Sequence, residues 1–410
     1  MKRLNKKQKV IVAIAIILIA VILAIVITTN IISNNTQIAN EGYFATTTNA
    51  NSNLVASYIK KGVKVGGITG TLEVLDTSDA NATAADIAKG KTAYVKGEKI
   101  TGTREPDNYY FTDSLGNTVK VPGGFEVVNP EDNVTDGIII EDVNAGDENT
   151  KGSQFVWIPV GDVITNTSGS KTTITLGRYT FDTTGAETLV QSAAEYANET
   201  QLITSIGCYF QELLNTTSSQ NAKAKDIKEF ISKATTSGGY YIGRYEAGDA
   251  NATSTERTSS TSDSNPVACK VGIYPYNFVT QSQASSLAKG MYSSTNFESD
   301  LINSYAWDTA IVFIQTFSGD SDYSRQNRLQ SELAKCGEAT DGTNKDVRCN
   351  IYDMAGNMYE WTTETCSYTT IPCTLRGGSF ALSDYYTSYR FFNLTTTSVL
   401  NDSFRSTLYL

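Results

Sequence analysis

The chain contains no histidine. That absence removes Ser-His-Asp and Cys-His nucleophile activation in their usual forms, and with them every histidine-ligated zinc site. Carboxylates or lysine would have to carry any acid–base chemistry, and nothing in the sequence singles out such a pair. No Cys-x-x-Cys occurs either, which argues against a metal cluster on the six cysteines. Cations are in deficit: 33 Lys and Arg against 43 Asp and Glu give a net charge of −10. Five cations and no acid fall in the first nine residues, so the remainder is more acidic still. Such a surface repels phosphate backbones, and no nucleic-acid partner is expected.

Hydrophobic residues make up 40% of 410, enough for a buried core and room for more than one domain. Residues 10–27 are uncharged and almost wholly aliphatic. As a helix they span about 27 Å, close to the hydrocarbon thickness of a bilayer. Lys and Arg lie on the N-terminal side only. The sequence therefore predicts a cytoplasmic tail over 1–9 and a transmembrane anchor over 10–32, with the rest extracellular in a single-pass cell-membrane protein. The alternative is a cleaved signal peptide, but the apolar run is long for one and Thr-Thr-Asn-Ile-Ile-Ser is a poor cleavage site. Residues 33–53, rich in Asn, Thr and Ser, read as a flexible linker.

A short repeat follows. VGGITGT at Val65–Thr71 returns as KGEKITGT at Lys96–Thr103. Lys-Gly turns beside short β-type runs predict small hairpins, so 54–106 reads as a two-copy, β-rich stalk. It resembles repeats of phage tail and bacterial surface proteins. From 107 to 410 the texture is uniform, and short strands alternate irregularly with a few helices, an α+β pattern. Strands are expected around Phe155–Val160 and Tyr240–Glu246, with a hairpin turning at Leu115–Asn117. Helices are expected over 186–214, 222–235, 281–289 and 306–317. The cysteines permit disulfides outside the cell, with Cys366–Cys373 and Cys336–Cys349 as the expected pairs.

Four pieces identify the C-terminal region. DMAGNMYEW (Asp353–Trp361), TLRGGSF (Thr374–Phe380), SYRFF (Ser388–Phe392) and a closing SFRSTLYL occur in that order. Upstream lie FVWIPV, YYIGRYEAGD and SYAWDTAIVFI. The set resembles the formylglycine-generating-enzyme-like (sulfatase-modifying factor) superfamily, a variant of the C-type-lectin fold, over roughly 108–410. The resemblance implies a structural Ca2+ held by the side chains of Asp353 and Glu360 and the carbonyls of Gly356 and Met358, a hard-oxygen set that suits the ion. The alternative is a Glu360 paired with an arginine and no ion; Arg376 is a candidate partner. The enzyme branch binds copper through two cysteines just after Arg-Gly-Gly-Ser. Here no cysteine follows Phe380, so no copper is expected and the standard catalytic residues are absent.

What remains is a scaffold with a Tyr-, Ser-, Thr-, Asp- and Asn-rich segment over 381–401. Tyrosine supplies rigid contact area with a polar tip, while Ser and Asn supply adaptable hydrogen bonds, the mixture antibody loops use. It also resembles the variable surface of retroelement-diversified proteins on this fold. Ser383, Asp384, Tyr385, Tyr386, Ser388, Tyr389, Phe392 and Asn393 are the expected contacts to an extracellular protein or glycan. The alternatives are a sulfatase-modifying-factor-type enzyme with non-standard catalytic residues, and a structural surface or phage-derived protein.

Overall fold

The computed structural model describes residues 54–194, 203–205, 207–212, 222–259, 264–329, 332–338 and 346–410. The expected tail, anchor and linker lie outside them. Among the described residues no helix is long and apolar enough to cross a membrane. The chain is mostly β with a few helices. It divides into two units, one running to residue 81 with 94–99, the other comprising 82–93 and 100–410.

Each Ile-Thr-Gly-Thr closes the same small loop. In the first copy Thr71 N donates to Ala56 O (2.8 Å), Leu72 N to Ile59 O (2.9 Å) and Lys61 N to Leu72 O (2.8 Å). In the second, Thr103 N donates to Ala84 O (2.7 Å), Arg104 N to Ile87 O (3.0 Å) and Lys89 N to Arg104 O (2.8 Å). The motif glycine is required by contact. A Cβ on Gly70 would lie 2.3 Å from Ile59 O, and one on Gly102 would lie 2.3 Å from Ile87 O. The hairpins differ in length: Lys64–Val65 with Ile68–Thr69 in the first, Thr92–Val95 with Glu98–Thr101 in the second.

The C-terminal region is built on two six-stranded sheets. The first runs, in spatial order, Glu298–Leu301, Ser406–Tyr409, Gly239–Gly243, Gln154–Pro159, Ile139–Asp142 and Phe125–Val127. Its central strands Gly239–Gly243 and Gln154–Pro159 are buried almost throughout, so they read as continuous apolar runs instead of alternating ones. The second sheet runs Ile203–Ser205, Cys208–Glu212, Tyr359–Cys366, Cys373–Arg376 and Arg390–Asn393, with Asp402–Phe404 parallel to Tyr359–Trp361. The hairpin Tyr109–Thr112 with Thr118–Val121 forms around the expected turn.

Helix α1, Ile227–Ser237, starts at Asp226, whose carboxylate accepts from Lys228 N and Glu229 N, and ends at Gly238 in the left-handed region. Its stripe Ile227, Phe230, Ile231 and Ala234 is buried, and Phe230 meets Tyr240 at 5.2 Å. Helix α2 is Gln281–Gly290. Helix α3, Ser304–Phe317, is capped by Asn303 and buried from Ser304 through Gln315. That all-round burial includes Asp308, which needs partners.

Where a helix is expected over 186–214, the described residues 187–192, 203–205 and 208–212 form strands. Glu187–Ser192 pairs antiparallel with Gly177–Phe181, and Cys208–Glu212 pairs with Cys366–Glu364. Thr, Val, Ile and Tyr in these stretches suit a pleated surface, and cross-strand partners overrode the helical spacing. The disulfide expectation also needs correcting. The six cysteines are unbridged. Cys366 faces Cys208, whose thiol burial and the neighbouring Cys366 push up to about 12. Cys336 lies near Cys269 and reaches Glu246 O instead of Cys349.

Candidate ligand-binding surface

The Asp-Met-Ala-Gly-Asn and Arg-Gly-Gly-Ser motifs meet through backbone. A Cβ on Gly378 would stand 2.4 Å from Ala355 O, and one on Gly377, at φ 85°, would stand 2.8 Å from Met354 O. Only glycine allows that approach. Phe380 N then donates to Asn357 O (2.8 Å) and carries the chain into residues 381–389.

Beneath this segment lies a buried ion network. Arg376 Nη2 bonds Asp308 Oδ1 (2.6 Å), and Arg390 Nη2 bonds Asp308 Oδ2 (2.6 Å). Arg390 Nε also reaches Glu364 Oε2 (3.0 Å), and Arg178 Nη2 bonds Glu364 Oε1 (2.7 Å). These five side chains are at most 4% exposed. Burial alone raises the Glu364 pKa, but the guanidiniums, Arg390 foremost, bring it down to about 2. Arg376 therefore answers Asp308 of α3, not Glu360 as the sequence suggested.

The same framework holds the loop by its main chain. Arg376 Nε donates to Tyr389 O (3.1 Å), Trp307 Nε1 to Thr387 O (3.0 Å) and Asn327 Nδ2 to Leu382 O (3.0 Å). Thr387 N donates to Gln326 O and Ser388 N to Ser324 O, both at 3.0 Å. Backbone polar groups are thus satisfied from below; the side chains of residues 382–386 and Tyr389 reach the surface, while Thr387 and Ser388 stay buried.

There the aromatic residues form a continuous ridge. Tyr368 meets Phe392 (5.4 Å), Phe392 meets Phe391 (6.0 Å) and Phe391 meets Tyr385 (5.4 Å). Tyr385 meets Tyr389 (4.7 Å), and Tyr389 meets Tyr386 (5.4 Å). Tyr359 supports the ridge from the core, 5.6 Å from Tyr385. The Arg325 guanidinium lies 3.5 Å over the Tyr386 ring. Ser383 and Asp384 are exposed; Tyr385, Tyr386, Tyr389, Phe392 and Asn393 are half-buried. Ser388 is buried, 7% exposed, and serves the loop through its backbone. Asn393 Oδ1 accepts from Leu394 N and Thr397 Oγ1 and stabilises the next turn. Large apolar side chains, Leu382, Leu394, Val399 and Leu400, are exposed along the same segment.

The residues proposed as calcium ligands are arranged differently from a ready cradle. Both Glu360 oxygens are taken by Arg405, at 3.0 Å from Nε and 2.6 Å from Nη2. Gly356 O accepts Met358 N (2.7 Å). Asp353 is buried at φ 63°, and burial, then the Asp346 charge, raises its pKa to about 8. Glu246 beside it is raised too, by burial and the Asp353 charge, and its Oε2 has no hydrogen-bond partner among the described residues. No group of three His, Cys, Asp or Glu side chains is placed to hold a metal among the described residues. An ion here would have to draw Glu360 away from Arg405 or rely on Asp353 and carbonyls.

Sequence reasoning missed Arg325, Asn327, Tyr368 and Asp308. Phe391 was within reach, since it lies in the Ser-Tyr-Arg-Phe-Phe motif. Arg325 and Asn327 sit on a distant stretch of chain, with no local pattern to mark them.

No family model matches the chain, and no curated protein matches it in sequence. Among solved structures, CarF is 12% identical at a TM-score of 0.29, covering 42% of this chain and 87% of that one. Treponema denticola variable protein 1 is 11% identical at a TM-score of 0.29, covering 63% and 96%. The Major Tropism Determinant I1 variant is 11% identical at a TM-score of 0.30, covering 79% and 80%. These are distant structural likenesses and carry neither an activity nor a ligand over to this chain.

Proposed function

We propose that the protein is a membrane-anchored, extracellular ligand-binding protein whose lectin-like C-terminal domain recognises a protein or glycan through residues 381–401. One observation supports this above all: an aromatic ridge stands at the surface of a segment whose backbone is fixed from beneath by Arg376, Trp307 and Asn327. Rigid tyrosines and a stacked arginine are the residue types that dominate binding energy, because they bury large area at small entropic cost. The buried arginine network explains the motifs as scaffold, with no reacting group required of them.

The test is binding of the purified chain to glycan and protein arrays, with Tyr385, Tyr386 and Tyr389 replaced together by Ala. Loss of binding with a retained cooperative melting transition supports the assignment. Unchanged binding places the recognition surface elsewhere.

A further inference from the structure

A turn outside the recognition segment sets one cation at its edge. Tyr323–Arg325 forms a single 3-10 turn whose first two residues are fixed from within: Tyr323 Oη donates to Asp346 Oδ2 (2.8 Å) and Ser324 N donates to Gln315 Oε1 of α3 (2.8 Å). The loop is stitched on both sides of Arg325, since Ser388 N donates to Ser324 O and Thr387 N to Gln326 O, both at 3.0 Å. Arg325 is half-buried between those bonds and lays its guanidinium 3.5 Å over the Tyr386 ring. Stacking uses the face of the guanidinium plane and leaves the N–H groups along its edges for other partners. Among the described residues no acceptor meets those edges. The carboxylates on these same stretches of chain are engaged elsewhere: Asp320 by Arg348 (2.7 Å) and Arg328 (3.6 Å), Asp322 by Gln326 Nε2 (2.8 Å) and Asp384 by Ser383 Oγ (3.1 Å). The arginines beneath the segment, Arg178, Arg376 and Arg390, each hold a carboxylate, and Arg325 does not.

A cation with open donors on an aromatic ridge fixes the charge of what lies against it. Covered by a neutral apolar group, the guanidinium would lose its water and gain no acceptor, which costs free energy. A carboxylate instead meets it with two parallel N–H···O bonds. The neighbouring surface favours a polypeptide over a sugar as the carrier of that carboxylate. Leu382, whose carbonyl shares the Asn327 amide with that of Tyr385, is 46% exposed at the same turn. An aliphatic side chain offers nothing to a sugar's hydroxyls, whereas a polypeptide covers it with apolar groups of its own. We propose that the ridge takes an acidic segment of a polypeptide, with an Asp or Glu side chain paired to Arg325 beside Tyr386. This rests on the reading of residues 381–401 as the recognition surface and narrows its ligand to one charge and one class. The chain's net charge of −10 opposes an acidic partner at long range. The pairing therefore acts at contact distance, where it sets register and slows dissociation.

Random peptides displayed on phage supply the probe, selected on the purified full chain and counter-selected against the chain with Tyr385, Tyr386 and Tyr389 replaced by Ala. The surviving peptides should share an Asp or Glu. Arg325→Gln should weaken them about tenfold or more. Changing the shared acid to its amide should cost the same on the unsubstituted chain and nothing further on Arg325→Gln, a cycle that separates a lost contact from a disturbed fold. Surviving peptides without a shared acid overturn the proposal, as does an amide that costs as much on Arg325→Gln as on the unsubstituted chain; both leave the recognition surface standing. Ridge-dependent binding confined to glycans on an array also overturns it. If neither peptides nor glycans distinguish the tyrosine-substituted chain, the surface itself is misplaced and the proposal falls with it.

Discussion

Two buried arginine clusters stand side by side in the sequence motifs and have opposite stoichiometry. Under the 381–389 segment, Arg178, Arg376 and Arg390 surround two carboxylates, Asp308 and Glu364. At the Asp353–Glu360 turn a single Arg405 answers Glu360, with Glu246 and Asp353 also close by. Where cations are in excess, burial is outweighed and Glu364 is held ionised, at about 2. Where acids are in excess, burial and mutual repulsion drive Asp353 up to about 8 and Glu246 higher than its ordinary value. The difference teaches that burial alone does not set protonation; the local ratio of guanidinium to carboxylate does.

The comparison breaks most readily at Glu364. Glu364→Gln leaves three buried guanidiniums with one carboxylate, and loss of a buried pair's partner costs about 3–5 kcal/mol. Urea unfolding should show that loss, and a change below about 1 kcal/mol would mean the network is not held as described.

A second effect separates the clusters by pH. The folded-state pKa of Asp353 lies above its ordinary value of 3.8. Its contribution is thus fully present at low pH and declines as pH rises from about 4 to about 8. Glu364 has the reverse sign: its contribution is present above its ordinary value of 4.5 and is lost only as pH falls toward about 2. Asp353→Asn should therefore flatten the fall in stability between about pH 4 and 8 and leave the acid limb untouched. An unchanged slope across that window would contradict the assignment.

The smallest expected effect concerns an added cation. Calcium bound at Asp353 would supply the positive charge that the acid-rich cluster lacks and bring its balance closer to that of its neighbour. Adding Ca2+ to chelator-treated chain should then raise Tm, and the rise should be absent in Asp353→Ala. A flat response at millimolar calcium would leave the Glu360–Arg405 pair as the turn's sole electrostatic support.

Much of the frame was legible. The helices 227–237, 281–290 and 304–317 follow from apolar spacing, with ends shifted by two residues or fewer except at the start of the first, which begins five residues late. The strands at Gln154–Pro159 and Gly239–Gly243 follow from β-branched and aromatic runs. Glu187–Ser192 did not, because its strand character comes from pairing with Gly177–Phe181, a contact no local window contains. The tyrosines of 381–401 were readable from composition. The stacking of Arg325 on Tyr386 was not, nor was the choice of Arg405 over Arg376 by Glu360. Both are fixed by packing between distant segments. The burial of Ser388, beside buried Thr387 and half-buried Tyr389, was not readable either, because Arg376 and Ser324 bond its backbone from distant segments.

Most bonds that secure residues 382–389 end on carbonyl oxygens and amide nitrogens of that segment, atoms every amino acid but proline presents alike; the exception is the buried Thr387 hydroxyl, which donates to Gln326 O. Substitutions at the exposed Leu382, Ser383 and Asp384 should leave that support intact. If the segment binds ligands as proposed, its exposed side chains can be exchanged on an unaltered support, much as type is reset in a fixed frame.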